Sequence, residues 1–279
     1  MDPEQVIQEF IDALTQGYLG TLGAWVQVAP PRTTRLNAFN TLGDQHIMLA
    51  MFDQNGIPTG RRWDGRLEAG KALRLDLADL LSDDDLPFEG CIWAACKGDD
   101  SPSNLGIQAI DLDFVDTSRV EGHVLGTVHL MQDFFNTLGL PPWLDLISPR
   151  LMVGYDEAGA PRWTNFLGLA HHPVTSGQPA RVQVRVANTD GEWLDAPEPL
   201  VVPLFGSRFV SIESLIPGLD EHLGVQGTQP AFGAINVREV TPAGQIGLCA
   251  MLKVTDNETG DFLVDHLNDR HFAKPTQKG

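Results

Sequence analysis

The chain has 279 residues, 42% of which are hydrophobic, and a formal net charge of −18. This length and this hydrophobic content are sufficient for one large domain or two ordinary domains with packed cores. The acidic balance argues against a nucleic-acid partner, because a phosphate backbone needs a basic protein surface. No apolar run approaches the roughly 20 residues of a membrane-spanning helix, so we expect no membrane insertion.

Residues 1–20 predict an amphipathic helix that docks on the rest of the protein or pairs with a second copy. Asp2-Pro3 suits the start of a helix, and the segment lacks the basic start and continuous apolar stretch of a signal peptide. One face carries the apolar side chains of Val6, Ile7, Phe10, Ile11 and Leu14. Such a face is too wide to leave in water.

The three cysteines, Cys91, Cys96 and Cys249, each lie in an apolar stretch. Cysteine in such a place behaves as a small core residue. Because this sparse set does not indicate a disulfide framework, we expect a cytoplasmic protein. The alternative is an extracellular protein from which a signal peptide has been removed.

Two parts of the chain show the same order of alternating strands and turns. Residues 22–40 and 165–188 each contain two strands, and the second strand ends at Asn40 in one part and at Asn188 in the other. A later strand contains Gly90 in the first part and Gly233 in the second. We therefore predict an internal repeat in which these two asparagines, and these two glycines, are equivalent.

Each repeat contains short strands separated by turn signals, which is the pattern of an antiparallel β-sandwich. We predict an all-β protein made of two tandem antiparallel β-sandwich domains with a partly helical insert between them. The predicted segments are the helix 1–20, the first sandwich 21–118, the insert 119–163, the second sandwich 164–265 and a polar tail 266–279.

The insert and its borders are rich in aromatic and arginine side chains that could cover a pocket between the two domains. Domain interfaces are favoured places for ligand sites. The candidate ligand-binding residues are Phe134, Phe135, Trp143, Trp163, Arg150 and Arg162.

Four histidines form a candidate metal site. His123 and His129 are placed symmetrically about Gly126, so a hairpin turning at that glycine would bring the two imidazoles together. If the segment is instead one straight strand, they are about 20 Å apart and cannot share an ion. His171 or His172 would supply a third ligand, and a transition metal such as zinc is the ion that imidazole favours.

The strand order of the first repeat resembles that of the sensory rhodopsin transducer family, small β-sandwich proteins. The resemblance covers about a third of the chain and depends on Ala24-Trp25, Asn40, Gly43-Asp44, Gly70, Leu73 and Asp111. It implies an oligomeric binding or signalling module and not an enzyme. The duplication and the insert depart from that single-domain family, and no functional residue can be transferred.

The chain contains no nucleophile elbow, phosphate-binding loop or zinc-protease motif. The leading hypothesis is therefore a non-catalytic binding or assembly module without a cofactor. Its expected partner is a second copy or another protein, with a small-molecule ligand as a further option. The alternatives are a metal-dependent enzyme at the histidines and an extracellular carbohydrate-binding β-sandwich.

Overall fold

The computed structural model describes residues 4, 5, 8, 9, 12, 19–40, 43–98, 107–119, 123–130, 145–171, 178–240 and 248–269. Across these residues the chain forms four antiparallel sheets with only a few short helical turns. The predicted all-β class is therefore confirmed.

The first half forms two four-stranded sheets. Its strands are β1 Leu19–Val28, β2 Arg32–Asn40, β3 Gln45–Asp53, β4 Pro58–Leu67, β5 Ala72–Asp76, β6 Phe88–Gly98, β7 Ile107–Asp116 and β8 His123–Leu130. Sheet I has the order β1-β6-β3-β4, and sheet II has the order β5-β2-β7-β8. Two 3₁₀ turns, Leu77–Leu80 and Asp83–Asp85, connect β5 to β6.

The second half forms two further sheets. Its strands are β9 Asp145–Val153, β10 Trp163–His171, β11 Ala180–Ala187, β12 Trp193–Asp195, β13 Leu200–Val202, β14 Ser207–Ser211, β15 Ala231–Glu239, β16 Leu248–Asp256, β17 Phe262–His266 and β18 Asn268–Asp269. Sheet III has the order β12-β11-β15-β9-β18, with β13 also on β11, and sheet IV has the order β14-β10-β16-β17. Two short helices, α1 Ile212–Leu215 and α2 Leu219–Leu223, connect β14 to β15.

The two halves have the same order of strand pairing. Sheet III repeats sheet I with β9, β15, β11 and β12 in the places of β1, β6, β3 and β4, and sheet IV repeats sheet II in the same way. The second half thus begins with β9, one strand earlier than the sequence pattern predicted. Gly90 and Gly233 do lie on corresponding strands, β6 and β15.

The predicted equivalence of Asn40 and Asn188 is wrong, because Asn188 corresponds to Asp53. The Oδ1 atom of Asp53 accepts hydrogen bonds from two backbone amides in the turn after β3, both at 2.8 Å. The Oδ1 atom of Asn188 accepts the same two bonds in the turn after β11, at 3.0 and 2.9 Å. Many strands end in Asn or Asp before such a turn, so this residue alone does not identify which strands are equivalent.

The bounds of the predicted insert are also corrected, since β8 and β9 both lie inside residues 119–163. β8 pairs with β7, and β9 pairs with β15 and β18, which are distant in sequence. Short apolar runs of this kind do not distinguish strand from helix without such partners. Residues 131–144, the middle of the predicted insert, lie outside the described residues.

The predicted polar tail begins too early. Residues 266–269 complete β17 and form β18, and Leu267 between them is completely buried. At the other end of the chain, the described N-terminal residues are helical, and Glu9 forms an ion pair with Arg62 on β4. None of the helices in the described part of the chain is long and apolar enough to cross a membrane.

The sheets pack in the order II, I, IV, III. Sheets I and II share one apolar core that includes Leu49, Ile92 and Leu112. Sheets III and IV share a second core, built from residues such as Leu167, Val184 and Val237. The outer faces of sheets I and IV meet in a third cluster, formed by Met48, Ala50, Phe52, Cys91, Trp93, Ala170 and Phe205.

Two turns lock this junction between the halves. The turn after β3 packs so closely on the loop between β13 and β14 that a Cβ atom at Gly56 would overlap the carbonyl oxygen of Leu204. The backbone amide of Ser207 and the Nη1 atom of Arg208 both donate to the carbonyl oxygen of Gln54, at 3.2 and 2.9 Å. The two halves therefore form one packed unit.

Candidate functional site

A small cavity lies in the second half, between the connection from β9 to β10 and the helices α1 and α2. Its volume is about 220 Å³. Pockets for drug-sized ligands have roughly 300–1,000 Å³, so this cavity suits a ligand of only a few heavy atoms. The lining residues are Val153, Gly154, Tyr155, Pro161, Trp163, Glu213, Ile216, Gly218, Leu219 and Asp220.

A tight turn places the two aromatic rings of the cavity. Asp156 Oδ1 accepts hydrogen bonds from the backbone amides of Ala158 and Ala160 at 2.9 and 2.8 Å. This side chain therefore holds the turn that brings Tyr155 back opposite Pro161. Trp163 follows at the start of β10 and is half-buried.

The carboxylate of Glu213 is fixed in the opposite wall by α1. Its Oε1 atom accepts hydrogen bonds from the backbone amide and the Nδ2 atom of Asn165 at 3.0 and 2.7 Å. Its Oε2 atom accepts one from Ser211 Oγ at 2.8 Å. Asn165 is completely buried and also bonds the backbone of Met152 on β9, so the two strands and the helix are tied together at Glu213.

Asp220, on α2, accepts a hydrogen bond from the hydroxyl group of Tyr155. This bond, together with partial burial, raises the pKa of Tyr155 above its usual value. α2 is held in place by Leu219, which is buried, and by the Nε2 atom of His222, 3.1 Å from the carbonyl oxygen of Val186. The helix therefore presents Asp220 from a fixed backbone.

Among the residues that the structure describes, the lining carries two carboxylates and no lysine or arginine. Arg162 adjoins the cavity, with its Cζ atom 5.6 Å from the centroid of the Trp163 ring. Its charge is balanced elsewhere, because Nη2 lies 2.9 Å from Asp256 Oδ2 and Nη1 pairs with Glu258. The cavity wall is consequently negative.

The predicted ligand-binding residues are only partly brought together. Trp163 lines the cavity and Arg162 contacts the Trp163 ring, whereas Arg150 is exposed on β9 with its Nε atom 3.7 Å from Asp265. Phe134, Phe135 and Trp143 lie outside the described residues. The sequence analysis predicted a pocket between the two halves. The cavity lies instead within the second half.

The hairpin on which the metal hypothesis depends is not formed. His123 and His129 lie on one strand, β8, with Gly126 inside it opposite Phe114. Six residues of extended strand span about 20 Å, so these two imidazoles do not converge.

The other two predicted ligands do not restore the metal site. His171 is buried at the end of β10, and this burial lowers its pKa to about 4. His172 is outside the described residues. Within the described ranges, no three His, Cys, Asp or Glu side chains form a group that could hold a metal ion.

A second, larger depression lies in the first half, with a volume of about 720 Å³ between the start of β4 and the 3₁₀ turns. It is wide and open, and its described lining residues include no aromatic side chain. Asp85 in its wall is already used to hold Ser82, whose Oγ atom donates to it at 2.6 Å. The smaller cavity is therefore the stronger candidate site.

The sequence pattern missed three residues of this site, Tyr155, Glu213 and Asp220. The turn signal around Gly159 and the short acidic helical segment after β14 were visible in the sequence. The contact between these two segments was not visible in the sequence, because it depends on β10 pairing with β14 in sheet IV. Of the predicted ligand-binding residues that the structure describes, Trp163 lines this cavity.

No family model and no curated protein matches the chain. Among solved structures, a Pleurotus ostreatus lectin in its apo form is similar at 9% identity and a TM-score of 0.19, with 90% of this chain and 76% of that chain covered. A Pleurotus ostreatus lectin in complex with GalNAc gives 9% identity, a TM-score of 0.17 and coverages of 90% and 77%. Similarities at these TM-scores carry no argument about fold or ligand.

Proposed function

We propose that the protein is a non-catalytic binding module that takes a small molecule in the cavity of its second half. One observation carries this proposal. Two carboxylates and two aromatic rings surround a small cavity, and each carboxylate is held by hydrogen bonds to the protein.

Preorganisation favours binding, because a fixed site loses little conformational entropy when its ligand arrives. Both oxygens of Glu213 already accept hydrogen bonds from Asn165 and Ser211, and Asp220 accepts one from Tyr155. Carboxylates held in this way serve as fixed charges and acceptors.

The proposal also includes a cytoplasmic location, no cofactor, a second copy or another protein as partner, and the resemblance to sensory rhodopsin transducers. A sugar is the competing ligand class, since an indole ring beside carboxylates also suits a sugar face. The histidine enzyme is not carried forward, because the hairpin that it needs is replaced by β8.

The test is a calorimetric titration of the full chain with two sets of probes. One set contains choline and n-butylamine, and the other contains glucose and galactose. We expect at least one probe to bind with one site per chain. Binding should be lost in Trp163→Leu and kept in Trp193→Leu, because Trp193 is 44% exposed on β12, away from the cavity. Absence of binding by every probe, or equal binding by both variants, would refute the proposal.

A further inference from the structure

We infer that the ligand of this cavity is a small organic cation, an ammonium group on a short apolar stem. This inference rests on the proposed function and specifies its ligand class. The cavity between Tyr155, Trp163, Glu213 and Asp220 is the structural feature that carries it.

The first step is the charge of the cavity wall. Glu213 and Asp220 are the charged side chains of the lining. Their hydrogen-bond donors are Asn165, Ser211 and Tyr155, all of which are neutral groups. Within the described part of the chain, these negative charges are therefore solvated by neutral donors and are not cancelled by a cationic side chain. A cation entering the cavity would supply the missing opposite charge.

The second step is the chemistry of the remaining walls. The faces of tryptophan and tyrosine rings attract ammonium groups through the ring quadrupole. Ile216 and Leu219, both buried, supply apolar surface beside the rings. An ammonium group on a few carbon atoms matches this combination. A phosphate or carboxylate ligand would instead face two like charges in a chain of net charge −18.

The third step separates a cation from a sugar. Sugar hydroxyl groups both donate and accept hydrogen bonds, so sugar sites usually offer donors as well as acceptors. Here the carboxylates only accept, and the Tyr155 hydroxyl already donates to Asp220. An ammonium ligand needs only acceptors and ring faces, and the wall presents both.

The size of the cavity narrows the ligand further. A volume of about 220 Å³ admits a choline-sized molecule, whereas larger amines would have to leave part of their chain in solvent. The stem would lie against Ile216 and Leu219, with the charged head near Asp220 and the rings.

The experiment compares two probes that have the same shape and different charges. Choline and its uncharged isostere, 3,3-dimethylbutan-1-ol, are titrated into the full chain by calorimetry, with galactose as a third probe. We expect choline to bind at least about tenfold more tightly than the isostere, because only choline gains the carboxylate and ring-face attraction. Its affinity should also fall as salt is added.

A charge variant locates the effect. In Asp220→Asn the amide oxygen can still accept the Tyr155 hydrogen bond, so the shape of the site is kept while one charge is lost. We expect choline affinity to fall by about tenfold and isostere affinity to stay unchanged. Glu157→Gln is the matched control, since Glu157 is exposed on the adjacent turn and outside the lining.

The outcomes distinguish this inference from the proposed function. Tighter binding of galactose or the isostere than of choline, lost in Trp163→Leu, would overturn the cation and leave the binding module intact. An unchanged choline affinity in Asp220→Asn would also overturn it. If no probe binds, both proposals fail. The comparison of choline with its isostere on the unaltered chain remains decisive even if a variant does not fold.

Discussion

Sheets I and III have the same strand order, but their outer faces differ in chemistry. On β3 both faces are apolar, because Ile47, Leu49 and Met51 point into the first core while Met48, Ala50 and Phe52 meet sheet IV. On β11 the buried valines alternate with Arg181, Gln183 and Arg185. The inner residues thus specify the strand order that the halves share, and the outer residues decide what packs on each sheet.

Sheets II and IV differ in the same way at corresponding positions of β7 and β16. Asp113, on β7, accepts hydrogen bonds from Asn37 Nδ2 at 2.7 Å and Thr127 Oγ1 at 2.6 Å. Lys253, on β16, lies in the junction with its Nζ atom 4.3 Å from the Phe262 ring centroid and 5.6 Å from that of Trp25. At this position sheet II carries a half-buried carboxylate on its outer face, whereas sheet IV carries a buried lysine.

The largest loss of stability is expected from an alanine substitution that disrupts the junction at one of two corresponding glycines. Gly56 and Gly191 both have positive φ, 85° and 83°. A Cβ atom at Gly56 would overlap the Leu204 carbonyl oxygen, whereas one at Gly191 meets nothing within 4 Å. We expect Gly191→Ala to lower the free energy of unfolding by about 1 kcal/mol. Gly56→Ala should lower it by about 3 kcal/mol or more, because backbone must also move.

Urea denaturation of the two alanine variants measures both values. Gly191→Ala is the matched control for backbone strain alone, so the difference between the variants reports the packing of the two halves. Similar losses in both variants would show that the turn after β3 does not lock the junction.

The pH dependence of the free energy of unfolding tests the buried charge of Lys253 at the junction. Burial lowers the pKa of Lys253 from 10.5 to about 8, with Arg32 adding to the effect and Glu89 opposing it. Between these two pH values the unfolded chain binds more protons than the folded chain. The free energy of unfolding therefore rises with pH across this window.

Replacing Lys253 by Met should stabilise the protein most below pH 8. A pKa difference of this size corresponds to about 3 kcal/mol, and Lys253 is only 7% exposed. We expect Lys253→Met to gain up to that amount at pH 7 and to lose the gain by about pH 10.5. Lys71→Met, at an exposed position, is the control and should show no such pH dependence. A constant gain at every pH would mean that the methionine acts through packing alone.

The sequence indicated the all-β class for a physical reason. Period-two alternation, as in β11, reports directly which face of a strand is buried. It fails on β3, where both faces are buried, and on β9, whose partners β15 and β18 are far along the chain. The repeat was consequently placed one strand too late.

The candidate site was less predictable than the fold. Trp163 could be selected because aromatic residues near an expected interface are common in binding sites. Tyr155 and Asp220 meet only after α2 packs beside the turn that follows β9, with Leu219 and His222 holding the helix. No local pattern in the sequence records a contact that depends on tertiary packing.

The smallest expected effect concerns what the two halves share. Asp53 and Asn188 each accept two hydrogen bonds at Oδ1, from the backbone amides two and four residues further along the chain. Asp53→Ala removes both bonds and should lower the free energy of unfolding by about 1 kcal/mol. Asp53→Asn keeps the acceptor that the second half already uses at this place, and we expect a change below about 0.5 kcal/mol. Urea midpoints compare the two variants. A loss in Asp53→Asn as large as in Asp53→Ala would show that the carboxylate charge, and not the turn that both halves share, is what matters at this position.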